Sequence, residues 1–283
     1  MLSDVFLRLF ADDSKLFREI ADFMTSKTLQ DNLNAFVTWG NDWQISLNTE
    51  KCCVLHIGPN NENYSYYCND VELVSKPAEK DLGFMLSVNL KCSDHIKYIV
   101  GKAYLKSNLI FKAFQCKDIL FLTKMFTTFV RPILEYISPV WTPYLLKDID
   151  CIESVQRSFT RRIPGLGSLN YVQRLVACGL EPLEVRRIRF DLICVFKIIH
   201  GLMDTNFDDY FEYSNLSTRG HGFKLRKPKC RTNVRQNFFS SRVVDLWNAL
   251  PEDIVACKSL AAFKKKISDF NLNHACCGRT LIT

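Results

Sequence analysis

Apolar positions along this chain change their period about a third of the way in. Residues 5 to 17, "VFLRLFADDSKLF", read as an apolar run, the turn-forming "ADDS" and a second apolar run, which predicts a β-hairpin with carboxylates at its tip. In "LQDNLNAFVTW", Leu29, Leu33, Phe36 and Val37 fall on one helical face and predict an amphipathic helix packed on the hairpin's sheet. "NDWQISLNTEKCCVLHIG" predicts a turn and a strand closed by Gly58 and Pro59, and residues 71 to 90, with "DLGFML", a further hairpin. After residue 92 the spacing turns helical. "HIKYIVGKAYLKSNLIFKAF" predicts one helix, and Pro132 and Pro139 are expected to break "ILFLTKMFTTFVRPILEYISPVW". "DIDCIESVQRSFTRRI" opens on acids and ends on arginines before Pro164 and Gly165, as a helix dipole favours. "LEVRRIRFDLICVFKIIHGL" and "SLAAFKKKISDF" predict two more helices. The expected fold class is α+β.

Composition changes the picture in three ways. The 283 residues are 47% hydrophobic, enough for a real core. No run approaches the roughly 18 apolar residues of a membrane span, so no membrane partner is expected. Twelve scattered cysteines, with no secretory signal ahead of them, read as free thiols of a chain inside the cell, in cytoplasm or nucleus.

The net charge of +7 has a location. Residues 213 to 244 hold Arg219, Lys224, Arg226, Lys227, Lys229, Arg231, Arg235 and Arg242 and no acid, so the rest of the chain sums to about −1. Phe223, Phe238 and Phe239 interleave with these cations, as a surface that follows phosphates and stacks on bases requires; a solvated basic loop is the alternative. Arg157, Arg161 and Arg162 near one helical face have the same two readings.

Asp12 and Asp13 also have two readings. Aspartate favours turns through side-chain to backbone hydrogen bonds, and a tight turn also presents paired carboxylates to divalent cations, as two-metal nucleotidyl transfer requires. The neighbouring segments weigh on the choice. "FADD", then "LQDNLNAFVTWGNDWQISLNTEKCCVLHIG", "DLGFMLSVNLKCSDHI", "RPILEYISPVW", "VQRSFTRRIPG" and "FFSSRVVDLWNALP" occur in the order in which similar motifs occur in the reverse transcriptases of non-LTR retrotransposons, most like the jockey-type group. The chain resembles the C-terminal part of that family over almost its whole length.

The resemblance implies an incomplete palm over residues 1–91, a helical thumb and connection over 92–203, and a basic C-terminal region over 204–283. It implies an RNA template and a DNA primer as partners and Mg²⁺ as cofactor. Asp12 and Asp13 would be metal ligands and catalytic carboxylates, and Lys51 falls on a palm lysine that meets the pyrophosphate; a solvent-facing strand lysine is its alternative. Arg219, Lys224, Arg226, Lys227, Lys229, Arg231 and Arg235 join Arg157, Arg161 and Arg162 as nucleic-acid contacts. The family places an earlier aspartate-bearing strand and a fingers region before the hairpin, whereas only eleven residues precede Asp12 here. Asp4 lies on the order of 25 Å away along an extended strand, too far for a shared ion. The expectation is therefore a truncated polymerase, inactive alone, with a non-catalytic nucleic-acid-binding module or a functionless decayed reading frame as alternatives. Arg131 and Glu135 are expected to pair along one helix face, Trp141 and Trp247 to be core, and "HACC" (His274, Cys276, Cys277), which lacks zinc-site spacing, to be unstructured tail.

Overall fold

The computed structural model describes residues 5–45, 47–214 and 220–276. It is α+β, and the chain divides into two compact units, Met1–Lys91 and Cys92–Thr283.

In the first unit, β1 (Phe6–Phe10) and β2 (Asp13–Phe17) pair antiparallel, from Phe6 opposite Phe17 to Phe10 opposite Asp13. Ala11 and Asp12 make the turn, and Ala11 takes a left-handed φ of 51° because a two-residue hairpin loop must match the strand twist. Phe6 stacks on Phe17 across the strands at 5.3 Å. Helix α1 (Phe23–Asp42) starts at a reciprocal cap. Asp22 accepts the Thr25 backbone N–H at 2.8 Å while the Thr25 hydroxyl oxygen accepts the Asp22 N–H at 3.0 Å. Its predicted face is the one that turns inward, with Val37 buried and Leu29, Leu33 and Phe36 half-buried. That face is fastened to residues 66–68: Gln30 brackets the Tyr67 peptide with two 2.8 Å hydrogen bonds, and Ser26 donates to the Tyr66 hydroxyl at 3.1 Å. At the other end the chain folds back over the last turn. The Ile45 N–H reaches the Gly40 carbonyl at 2.7 Å, and a Cβ at Gly40 would stand 2.8 Å from the Ile45 carbonyl oxygen, which is why glycine sits there.

The remaining strands are short. β3 (Cys53–Val54) pairs parallel with β6 (Val74–Ser75), β4 (Tyr67–Cys68) antiparallel with β5 (Val71–Glu72), and β7 (Ala78–Asp81) with β8 (Phe84–Ser87) through a Leu82-Gly83 turn. The described strands thus form four separate two-stranded sheets. An ion pair between Lys15 and Asp81 ties the first hairpin to the last.

The second unit is helical. In α2 (Ser93–Ala113) the buried residues Ile96, Ile99, Val100, Ala103, Ser107 and Ile110 recur every three or four positions and face α4 and α6. The expected break at Pro132 does not occur. Helix α3 (Ile119–Met125) runs through a wide turn, Phe126–Val130, into α4 (Arg131–Glu135), with the Arg131 N–H bonded to the Phe126 carbonyl five residues back. A proline needs the preceding turn opened to make room for its ring, and the extra residue in that turn provides it. The direction changes at Ile137, held at a left-handed φ of 45°, before α5 (Ser138–Trp141); the Trp141 indole N–H closes the corner on the Tyr136 carbonyl at 2.7 Å.

Beyond these lie α6 (Leu146–Arg162), α7 (Tyr171–Cys178), α8 (Leu183–Ile199), α9 (Asn233–Gln236), α10 (Phe239–Asn248), α11 (Glu252–Val255) and α12 (Leu260–Asp269). Leu192, Val195 and Phe196 of α8, Val243, Val244 and Trp247 of α10, and Phe263 and Ile267 of α12 share one core. Each fully buried aliphatic or Phe side chain contributes about 1.5–3 kcal/mol to it. Trp141 and Trp247 are both buried, as expected. The segment expected as tail is ordered to Cys276: Leu272 is buried, Asn273–Ala275 form a 3-10 turn, and Ala275 and Cys276 pack on the same core, whose apolar surface gives them something to cover; Cys277 lies outside the described residues.

The quoted motifs meet one another in this unit. Glu135 of "RPILEY" receives Arg186 of α8 through two hydrogen bonds, one of 3.1 Å, and Arg131 stands farther off at 3.7 Å, so the expected pair along the helix is secondary to a tertiary one. Arg242 of "FFSSRVVDLWNALP" donates to both oxygens of Asp191 at 2.9 and 3.0 Å and to the Pro139 carbonyl of "SPVW" at 2.7 Å. From "ESVQR", Gln156 donates to the Glu181 carbonyl at 2.8 Å. The buried Glu153 accepts the Tyr171 hydroxyl and the Leu183 N–H (2.9 Å) at the positive end of α8. Burial pushes the Glu153 carboxyl up from its ordinary range, against those hydrogen bonds.

Candidate nucleic-acid interface

The hairpin turn sets Asp12 at the tip and Asp13 at the first paired position of β2, both exposed. Adjacent positions entering a strand do not converge on one face. Lys51 is also exposed, but it precedes the strand. It sits in a turn in which its N–H is donated to the Asn48 carbonyl at 3.1 Å and to Asn48 Oδ1 at 3.3 Å. Among the described residues no hydrogen bond or ion pair joins Lys51 to either aspartate, and no group of three His, Cys, Asp or Glu could hold a metal ion. Mg²⁺ is commonly held by one or two carboxylates with waters and substrate phosphates completing its octahedron, and two-metal transfer draws on a further carboxylate beyond Asp12 and Asp13.

In the second unit, Arg157 is half-buried with its guanidinium over the Tyr171 ring at 5.3 Å, so it serves the α6–α7 packing. Arg161 and Arg162 are exposed on the last turn of α6. Arg162 is held in place: it donates to Asn108 Oδ1 at 2.6 Å and lies 4.1 Å from the Phe111 ring centroid. It lines a groove of about 480 Å³ together with Lys112, Lys117 and Phe114, and no Asp or Glu lines it. Sequence reasoning passed over those two lysines. "FKAFQCKD" carries their signal, cations interleaved with aromatics, but the charge count drew attention to residues 213 to 244.

That basic stretch is less basic in three dimensions. Arg226 donates to both Glu212 oxygens at 2.7 and 2.8 Å, Lys227 pairs with Asp245, and Arg242 with Asp191. Arg226 and Lys227, expected as free nucleic-acid contacts, thus have acids beside them that lie 14 and 18 residues away in sequence. Lys224 is half-buried, and Arg219 lies outside the described residues. Lys229, Arg231 and Arg235 are exposed, and none has an ion pair among the described residues. Of the interleaved aromatics, Phe239 is core and Phe223 half-buried; Phe238 is exposed, with the Arg235 guanidinium 5.1 Å from its ring centroid. A groove of about 540 Å³ beside them is of mixed sign, since Asp208, Asp209 and Glu212 line it along with Lys229 and Arg235. No helix among the described residues is long and apolar enough to cross a membrane.

No family model matches the chain, and no solved structure matches it. An uncharacterized protein of Caenorhabditis elegans is 24% identical over 140 residues, which cover 48% of this chain and 70% of that protein.

Proposed function

We propose that the chain is the C-terminal part of an RNA-directed DNA polymerase of the non-LTR retrotransposon kind, and that it holds RNA template and DNA primer without catalysing transfer by itself. In this reading residues 1–91 are part of the palm, 92–203 the thumb and 204–283 the basic C-terminal region. One observation carries the binding: Lys229, Arg231 and Arg235 stand exposed and, among the described residues, without ion pairs within one short stretch, next to the exposed Phe238. Cations in that condition displace the condensed counterions from nucleic-acid phosphates, a large source of affinity in such interfaces. The polymerase lineage is supported by the two-residue turn that exposes Asp12 and Asp13 and by the motifs, far apart in sequence, that lock together through Glu135, Asp191 and Arg242. Catalysis is left out of the proposal because Asp12 and Asp13 lack a third carboxylate among the described residues.

The test has two arms. A fluorescent primer–template titrated into the chain should bind, and a Lys229→Gln/Arg231→Gln/Arg235→Gln variant should bind more weakly and with a shallower salt dependence. Primer extension with Mg²⁺ should give no product. Product that disappears on Asp12→Asn would overturn the non-catalytic half, and unchanged binding by the triple variant would overturn the other.

A further inference from the structure

The end of α2, the loop after it and the last turn of α6 enclose the groove of about 480 Å³ that Arg162 lines. Its three cations, Lys112, Lys117 and Arg162, are all exposed and have no ion pair among the described residues. The nearest acid in sequence, Asp118, does not line the groove and accepts the Phe121 N–H at 2.7 Å to cap α3. Arg162 is fixed by Asn108 and Phe111, so little side-chain freedom remains to be lost when it meets an anion. Phe114 is 43% exposed and is braced edge-on by Phe121, with ring centroids 5.3 Å apart.

We propose that this groove binds a single-stranded nucleic acid, with phosphates on Lys112, Lys117 and Arg162 and one base stacked on Phe114. Pre-set cations around an exposed, braced aromatic ring are what single-strand binding uses, because an unpaired base offers a face to stack and a duplex does not. The groove at Asp208 and Asp209 sets acids among its cations instead. The inference rests on the nucleic-acid-binding reading above and adds to it a second contact, on a different part of the unit, with a preference for single strands.

The experiment titrates the full chain with a single-stranded RNA of about 12 nucleotides, within the usual range of site sizes, and with an RNA duplex, over a series of salt concentrations. Lys112→Gln/Lys117→Gln should flatten the slope of log K against log salt for the single strand by about 1.4, two phosphates at roughly 0.7 each. Phe114→Ala should weaken the single strand about tenfold and leave the duplex unchanged. Thermal unfolding checks that each variant is folded, and Phe114→Leu, which keeps bulk against Phe121 but has no ring face, replaces the alanine variant if that one melts early. An unchanged slope in Lys112→Gln/Lys117→Gln, alongside weakened binding in Lys229→Gln/Arg231→Gln, overturns this inference and leaves the proposed function standing. Absence of binding to either RNA by the unaltered chain overturns both.

Discussion

Replacing Arg242 by methionine removes the guanidinium that joins α10, α8 and α5. That guanidinium donates two hydrogen bonds to Asp191, one to the Pro139 carbonyl and one of 3.2 Å to the Asn237 carbonyl. Asp191 is only 2% exposed, so water cannot take over. Breaking a buried pair from one side costs about 3–5 kcal/mol, which for a unit of this size lowers the melting temperature by about 6–20 °C. The loss depends on pH, and its sign follows from Asp191. Burial raises that carboxyl from its ordinary 3.8 to about 6, with Arg242 opposing the rise. The folded chain therefore binds this proton more tightly than the unfolded one, and the group's contribution to stability falls by about 3 kcal/mol as pH rises from 3.8 through 6. Without Arg242 the folded carboxyl titrates higher still, so the fall continues to higher pH and the variant should lose more at pH 8 than at pH 5. Urea unfolding followed by tryptophan fluorescence reads this, since Trp141 and Trp247 are buried in the same unit. A variant within about 0.5 kcal/mol of the parent, or one whose deficit shrinks with rising pH, would refute the reasoning.

Three further outcomes are expected. Glu153→Ala strips acceptors from the Tyr171 hydroxyl and the Leu183 N–H, and at about 1–3 kcal/mol for each orphaned group it should shift the urea midpoint strongly downward. Gly40→Ala places a methyl 2.8 Å from the Ile45 carbonyl oxygen and should cost about 1–3 kcal/mol, read as faster hydrogen exchange at the end of α1. Asp12→Asn alters an exposed turn residue and should leave the melting temperature unchanged, the change in stability being within about 0.5 kcal/mol.

Periodicity made α1 and the long helices legible, because each buries one side and its apolar residues recur at the matching interval. The first hairpin, with strands almost wholly exposed, was legible instead from the turn-forming residues between two apolar runs. The two-residue strands β3 to β6 are too short to carry a period, and they form by pairing that only the tertiary structure supplies. Pro132 looked like a break because the rule concerns a regular helix; the wide turn before it makes room for the ring while keeping Phe126 and Val130, at its two ends, buried. The site was harder to read than the fold. Net charge counts Arg226 and Lys227 as free, since their acids, Glu212 and Asp245, are distant in sequence and come alongside on folding. Phe239 resembles a stacking aromatic when seen between cations, yet the helical face of α10 turns it into the core. Lys112 and Lys117 went unnoticed for the converse reason, since the groove that gathers them with Arg162 draws on two helices and a loop.

The central claim, that this chain holds a nucleic acid through phosphate contacts, is tested most directly by equilibrium binding of an RNA–DNA primer–template over a range of salt concentrations. Lys229, Arg231 and Arg235, exposed and without ion pairs among the described residues, predict a log–log slope of about −2.7, steeper if Arg161 and Arg162 also engage. No binding at low salt, or an affinity indifferent to salt, would contradict the account.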